Sequence, residues 1–333
     1  QEEQMNKLVR AAQTSQSLSL AAMEEASRLG LREADIDHLF LALVINDQSA
    51  GRALRELGID IDSARLAVEE QRDAQLTSLG IEATFPEAGR IVFHETDGYE
   101  WTRRAWELIA KSSGKGKPGD AAAVLRELVA EPSGLITGIL GRLGTTPDVL
   151  IERLDRADSL STKSMPAATK VKGRTTGTTE TFVSAPLDEV WAFLTDPARI
   201  PEWEPSIGIL DQTSQEATPG TVWEGVAPVT YPDGKPAKIK PQFRRRSVEL
   251  IAIHQPDRIA WSFGYPDVAQ GNSVLTEFAL VNAPGGTQVR ISRSWSRRRG
   301  WRGLVAWPLR PIQKFLVWIT LFQTGSAISR AFR

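Results

Sequence analysis

The chain has 333 residues, of which 41% are hydrophobic and 24% charged, and a formal net charge of −1, which is typical of a globular protein long enough for two domains. It contains no cysteine, so disulfides, thiolate catalysis and cysteine-ligated zinc are excluded. The three histidines, His38, His94 and His254, are far apart in sequence, and we expect neither a metal site nor a cofactor.

Residues 1–158 show the apolar spacing of amphipathic helices, and the pattern occurs twice. The first copy comprises residues 28–30, 36–43 and 53–58, and the second comprises residues 101–105, 124–129 and 139–144. Gly58 and Gly144 lie 86 positions apart, each just past a periodic stretch, where a left-handed glycine commonly ends a helix. Asp37 lies directly before an apolar run, at the expected N-cap of a helix. We therefore predict one all-α domain made of two helical repeats, residues 8–72 and 100–157.

Residues 159–176 are small, polar and basic, which is typical of a linker. The period then changes, since Thr179, Thr181 and Val183 alternate with their neighbours as in a strand. A short helix and five more strands are predicted at residues 187–194, 221–226, 242–252, 258–263, 273–281 and 288–294. A long apolar and basic helix over about 301–332 ends the chain. Residues 177–333 are therefore predicted to form an α+β domain with an antiparallel sheet and a long C-terminal helix.

Charge is distributed unequally between the two halves of the chain. Residues 1–160 contain 18 Lys and Arg against 27 Asp and Glu, whereas residues 161–333 contain 22 against 14. No acidic residue follows Glu277. The halves are then either separate domains that attract one another, or the basic C-terminal end contacts an anionic partner.

The basic C-terminal segment fits some partners better than others. Arginines 297–299 form one short cluster, and we expect no nucleic-acid binding. The apolar run 315–322 is shorter than the roughly 20 residues that span a bilayer. It is either the buried helix of the domain or an interfacial helix that makes peripheral contact with anionic lipid. The first residues have neither a basic start nor an apolar run, so we expect a cytoplasmic protein.

Residues 1–158 resemble the N-terminal domain of the Clp/Hsp100 ATPases of the ClpC and ClpA type. The resemblance rests on residues 24–30, 36–43 and 53–58, and on Trp101-Thr102-Arg103-Arg104-Ala105, which is similar to the opening of a repeat. It implies a pseudo-twofold bundle of two four-helix repeats that receives substrates and adaptors. No Gly-x-x-x-x-Gly-Lys-Ser/Thr motif follows, so the chain has the receiving module without the nucleotide motor.

The same resemblance implies a binding surface at Asp37, His38, Trp101 and Thr102. Some family members bind phosphoarginine, which needs a hydroxyl donor and a carboxylate acceptor. Only fragments of such a site remain, because Asp37 stands in one repeat, Thr102 in the other, and Ala122 replaces the second acidic residue. The expected partners are Clp protease components or their clients, or cyclic peptides directed at Clp domains.

Residues 177–333 resemble the helix-grip, START-like superfamily (SRPBCC), which includes polyketide cyclases. The resemblance rests on residues 182–194, Asp196-Pro197, residues 201–203 and residues 261–263. It implies a sheet that curls around the last helix and leaves an apolar cavity for a hydrophobic ligand. Large flat side chains can line such a cavity or fill the core. The candidates are Trp203, Trp223, Trp261, Phe263, Phe278 and Trp318.

These observations lead to one leading hypothesis and three alternatives. The leading hypothesis is a non-enzymatic, Clp-associated adaptor, decoy or sequestering protein with a hydrophobic-ligand-binding domain. The alternatives are a carrier or sensor of a small molecule or lipid, a protein that sequesters Clp-targeting cyclic peptides, and a cyclase or hydrolase. The acid–base candidates His254 and Glu277 are predicted at a turn and at a solvent-facing strand position, and no catalytic triad can be argued from spacing.

Overall fold

A computed structural model describes residues 2–81, 88–91, 98–114, 116–159, 174–211, 217–230, 235–268, 273–296 and 310–333, with side chains except at 2–9, 296 and 310–316. The chain divides into two compact units, residues 1–163 and 164–333. None of the described helices is both long enough and apolar enough to cross a bilayer.

The first unit is helical, with one short parallel strand pair, β1 (Glu33–Ala34) and β2 (Glu100–Trp101). Its helices are α1 (Glu2–Arg28), α2 (Ile36–Val44), α3 (Ser49–Glu56), α4 (Ile61–Ser78), α5 (Arg103–Ser112), α6 (Ala121–Val129), α7 (Leu135–Arg142) and α8 (Pro147–Ser159). Gly58 and Gly144 follow α3 and α7 with φ angles of 80° and 72°, which confirms their predicted left-handed conformation.

The start of α2 differs by two residues from the sequence prediction. Asp35, rather than Asp37, is the N-cap residue, and its backbone N–H donates to His38 Nδ1 at 3.1 Å. Asp37 consequently lies inside the first helical turn, where it is buried. The side chain that the sequence analysis predicted as the N-cap therefore belongs to the interior of the first unit.

A buried arginine joins α2 to α3. Arg55 Nη1 donates to the backbone oxygens of Val44 at 2.6 Å and Asn46 at 2.8 Å. Burial lowers the pKa of Arg55 to about 9, so the guanidinium stays cationic at neutral pH. These bonds satisfy carbonyl groups at the C-terminal end of α2 that have no partner within the helix.

The second unit contains a seven-stranded antiparallel sheet in the order β3-β9-β8-β7-β6-β5-β4 within the described residues. The strands are β3 (Arg174–Val183), β4 (Ile209–Leu210), β5 (Val222–Val226), β6 (Arg245–His254), β7 (Arg258–Gly264), β8 (Val274–Ala283) and β9 (Gly286–Ser296). Helices α9 (Leu187–Thr195) and α10 (Ile200–Trp203) follow β3, α11 (Arg310–Ala331) ends the chain, and single 3-10 turns occur at Pro197–Arg199 and Pro241–Phe243.

The predicted strands and the short helix are present, with shifted ends. Strand β3 begins at Arg174, so residues 174–176 of the predicted linker pair with β9, and residues 160–173 lie outside the described part of the chain. Strand β4 has only two residues and was not anticipated, because so short a segment shows no periodicity. Residues 297–309, which include the arginine cluster 297–299 and the predicted start of the last helix, also lie outside the described residues.

Helix α11 packs directly on the first strand of the sheet. A Cβ atom at Gly177 of β3 would lie 2.5 Å from Val317 Cγ1 and 3.2 Å from Leu321 Cδ1, closer than such atoms pack. Thr181 Oγ1 donates to the backbone oxygen of Gly325 at 3.4 Å. The sheet face that carries Gly177 and Thr181 therefore faces α11, and we call it the inner face.

Candidate functional site

The strand register places one row of residues across the inner face. Gly177 pairs with Arg293, Arg293 with Thr276, Thr276 with Trp261, and Trp261 with Leu250. Directly paired residues of neighbouring strands share a face. Because Gly177 contacts α11, the other four side chains of this row also belong to the inner face.

Five of the predicted cavity residues lie together in the core of the second unit. Trp203, at the end of α10, packs edge-on against Phe278 and Phe263, with ring centroids 5.0 and 6.0 Å away. The Trp223 and Trp261 rings lie 5.7 Å apart. All five are at most 5% exposed and belong to one apolar cluster with Leu321 and Ile328 of α11.

The sixth predicted residue, Trp318, lies on α11 and is half-buried. Its ring stacks on Phe322 at 5.2 Å. It is thus positioned on the helix that covers the inner face rather than among the five buried rings.

The two deepest tryptophans differ in their hydrogen bonding. Trp261 Nε1 donates to the backbone oxygen of Leu194 at 3.1 Å. Trp203 Nε1 is equally buried but has no hydrogen-bond partner among the described residues. A buried donor without an acceptor costs about 1–3 kcal/mol. An unpaired indole N–H in a packed core is rare enough to mark a candidate binding position.

A buried ion pair lies beside these rings, and the sequence analysis missed it. Arg293 and Glu204 are 6% and 2% exposed, and Arg293 Nη2 donates to Glu204 Oε2. Arg293 Nε donates to Thr276 Oγ1 at 3.1 Å, and the backbone N–H of Ser206 donates to Glu204 Oε1 at 3.1 Å. Burial lowers the pKa of Arg293 to about 10, so it remains cationic at neutral pH. The sequence signal that could have identified Arg293 is its position two residues after Ile291, which places both side chains on the same face of β9.

A second arginine, Arg246, reaches the same segment from β6. It is 7% exposed, and its Nε donates to the backbone oxygen of Ser206 at 3.2 Å. Its guanidinium lies 4.5 Å from the ring centroid of Tyr265. Burial lowers the pKa of Arg246, and Tyr265 partly offsets that effect. Arg246 is four residues before Leu250 on β6 and therefore shares the inner face.

The predicted acid–base candidates lie elsewhere. Glu277 alternates with Thr276 and so belongs to the outer face, where Arg258 Nε lies 3.7 Å from its carboxylate. His254 is exposed at the end of β6. Within the described residues, no group of three or more His, Asp and Glu side chains is arranged to hold a metal ion.

The four residues of the predicted Clp-type surface join segments of the first unit. Asp37 and His38 are 0% and 2% exposed, and Asp37 forms an ion pair with Arg72. Burial by itself raises the pKa of Asp37, but its interactions with His38 and Arg72 outweigh burial and hold that pKa well below its ordinary value. Because both side chains are enclosed, Asp37 and His38 form no accessible surface, contrary to the expectation from sequence.

Trp101 and Thr102 are partly buried. Trp101 Nε1 donates to Ser19 Oγ at 3.1 Å, which ties β2 to α1. Thr102 Oγ1 donates to Asp35 Oδ1 at 2.6 Å, which ties the start of α5 to the start of α2. Of the four predicted residues, only Trp101 and Thr102 therefore have exposed parts that could belong to an accessible binding surface on this unit.

Comparison with known proteins relates just over half of the chain to a family. A family model described as polyketide cyclase / dehydrase and lipid transport matches residues 147–316, just over half of the chain. No curated protein matches the chain. The family model leaves residues 1–146, which contain most of the predicted Clp-type repeats, unmatched.

Several solved structures are similar to this chain. A Chromobacterium violaceum protein is 13% identical with a TM-score of 0.33, covering 47% of this chain and 96% of that protein. The protein Ms6760 from Mycobacterium smegmatis is 17% identical with a TM-score of 0.31, covering 48% of this chain and 90% of that one. DynU16, a protein in the dynemicin biosynthetic locus, is 18% identical with a TM-score of 0.30, covering 48% of this chain and 47% of that one.

Proposed function

The chain belongs to the polyketide cyclase / dehydrase and lipid transport family, and from this premise we propose that its second unit binds a hydrophobic small molecule at the inner face. One observation carries the proposal: a cluster of buried aromatic rings includes Trp203, whose indole N–H has no partner in the described residues. Ligand sites are mostly apolar, with a few polar groups that fix orientation.

Binding without catalysis is the form of this proposal that the contacts favour. General acid–base chemistry needs a positioned proton donor or acceptor, most often an imidazole or a carboxylate, within reach of the substrate. Glu204 has both carboxylate oxygens engaged, while Glu277 and His254 do not belong to the inner face. A cyclase or dehydrase activity, which the family description includes, is the alternative.

The neutral apolar dye N-phenyl-1-naphthylamine tests this proposal on the full chain. We expect saturable binding at about one dye per chain, with energy transfer from the tryptophans of the second unit, because a buried apolar site is finite. Titration of dye fluorescence measures both the affinity and the number of sites. Non-saturable dye fluorescence would contradict the proposal.

The outer face supplies the control for this titration. Ile209 and Val226 are directly paired and 67% and 43% exposed, so they offer an adventitious apolar surface. The double variant Ile209→Ser/Val226→Thr is expected to bind the dye as the unaltered chain does. Loss of dye binding in this variant would place the site on the outer face and overturn the proposal.

We propose as a second function that residues 1–158 bind Clp protease components, their clients or Clp-directed cyclic peptides, as an adaptor, decoy or sequestering module. The recurrence of helix lengths supports this proposal. Helices α3 and α7 each have eight residues and begin 86 positions apart, and α2 and α6 each have nine. The left-handed glycines Gly58 and Gly144 follow the same spacing. Such a recurrence is what a duplicated four-helix repeat would produce.

Trp106 of α5 offers a way to test the second function. It is 61% exposed, and exposed tryptophans are enriched among residues that dominate protein interfaces. We expect the full chain to bind a purified ClpC-type unfoldase, and Trp106→Ala to weaken that binding roughly tenfold or more. Leu66→Ala, at a 57% exposed position of α4, serves as the matched control. Absence of binding to unfoldase, protease and cyclic peptide alike would overturn the proposal.

A further inference from the structure

The polar groups of the inner face include a buried donor without an acceptor. Arg293 donates through Nε to Thr276 Oγ1 and through Nη2 to Glu204 Oε2. Trp203 Nε1, in contrast, has no acceptor in the described part of the chain. The carboxylate of Glu204, next to Trp203 in sequence, is already engaged at both oxygens. The buried polar atom that remains without a partner at this position is therefore an N–H donor, the indole of Trp203.

The charges of the inner face have the same bias. Arg246 and Arg293 are two buried cations, and both contact the segment 204–206, which supplies one buried carboxylate, Glu204. An acceptor oxygen that entered here would pair with a desolvated cation and with the indole N–H. An ammonium group would meet an excess of positive charge, because two buried arginines stand against one buried carboxylate among these residues.

The surroundings of these donors define the rest of the ligand. Phe263 and Phe278 pack against Trp203, and the Trp261 ring is buried in the same apolar cluster. A molecule that reached Arg293 and Trp203 would place its remaining surface against these rings. That arrangement suits an amphiphile with one acceptor group and an apolar body.

We propose that the ligand of the inner face is an apolar molecule with a hydrogen-bond-accepting oxygen, a carboxylate or a ketone, which the side chains of Arg293 and Trp203 bind. This inference rests on the proposed function of the second unit. It goes further by naming the head group and the two side chains that recognise it.

The test compares three amphiphiles with the same chain length on the intact protein. Dodecanoate and dodecan-2-one offer acceptor oxygens with and without charge, and dodecylamine offers an ammonium head. We expect the first two to displace N-phenyl-1-naphthylamine at concentrations at least about tenfold lower than dodecylamine does, because the site holds two buried arginines against one carboxylate and an indole N–H without an acceptor. Dodecan-2-one carries no charge. Its displacement of the dye therefore shows whether the preference depends on the acceptor oxygen or only on attraction between an anion and the arginines.

Two tryptophan variants form a matched pair for the same assay. Trp203→Phe removes the unpaired N–H and keeps a ring, so we expect the preference for dodecan-2-one over dodecylamine to fall to less than about threefold. Trp261→Phe removes an N–H already bound to Leu194, so the preference should persist. If Trp203→Phe does not fold, selectively ¹⁵N-labelled tryptophan in the unaltered chain gives a second measurement. Dodecanoate should then shift one indole N–H resonance downfield.

The outcomes separate this inference from the proposed function. Equal displacement by all three amphiphiles, with the dye still bound saturably, would overturn the inference and leave apolar binding intact. An unchanged preference in Trp203→Phe, or no indole shift with dodecanoate, would remove Trp203 from the site and overturn it as well. If neither the dye nor any amphiphile binds, the proposed function fails and this inference fails with it.

Discussion

Replacing Arg293 with Met is expected to lower the free energy of unfolding of the second unit by about 3–5 kcal/mol, because breaking a buried ion pair leaves the other charge without compensation. The charge left behind is the Glu204 carboxylate, which is 2% exposed. Thr276 Oγ1 loses its donor at the same time. The double variant Glu204→Gln/Arg293→Met removes both charges and should recover part of the loss.

Urea unfolding followed by tryptophan fluorescence measures this effect, since only Trp101 and Trp106 of the ten tryptophans precede residue 177. Arg245→Met is the matched control. Arg245 lies next to Arg246 on β6 and pairs with Glu224 at 3.3 Å, but the two side chains are 51% and 69% exposed. Such pairs contribute about 0–1 kcal/mol. If Arg293→Met lowers the free energy of unfolding by no more than Arg245→Met does, the Arg293–Glu204 pair is not buried in solution.

Replacing Gly51 with Ala is expected to destabilise the first unit by roughly 2–4 kcal/mol through overpacking and lost hydrogen bonds. A Cβ atom at this position would lie 2.0 Å from the backbone oxygen of Asn46 and 2.7 Å from Arg55 Nη1. Neither atom can simply rotate away, because Asn46 contributes backbone and Arg55 Nη1 binds two carbonyl oxygens. The methyl group would therefore separate α3 from the end of α2.

Gly141→Ala in α7 is the matched control for Gly51→Ala. Gly141 is also a helical glycine, but nothing lies within 4 Å of its added Cβ. Alanine there should stabilise the helix by about 0.5–1 kcal/mol, because glycine loses more backbone entropy on folding. Far-UV circular dichroism during urea unfolding measures the effect, because most of the described helical residues belong to the first unit. If Gly51→Ala and Gly141→Ala shift the midpoint of urea unfolding in the same direction, this account of α3 is contradicted.

Local patterns in the sequence determined the order and type of most elements. Apolar residues at helical spacing indicated helices in residues 1–158, and alternation indicated the strands of the second unit, because these periods follow from backbone geometry alone. Gly58 and Gly144 could be identified as helix-ending glycines for the same reason, since only glycine adopts that conformation without strain. The aromatic cluster was also predictable, because large apolar residues at inward strand positions share one face.

Only the tertiary structure decided how individual polar groups are used. Asp35 and Asp37 differ by two positions, yet one caps α2 and the other is buried against Arg72. Trp203 and Trp261 lie in the same apolar cluster, but only Trp261 reaches a carbonyl, 67 residues away.

Arg293 and Glu204 are 89 residues apart and meet because of the strand register and the position of α10. The sequence by itself therefore determined which segments form helices and strands and where apolar side chains collect. The tertiary structure decided which donors and charges find partners, because hydrogen bonds and ion pairs depend on distances of a few ångströms between segments that local periodicity does not relate.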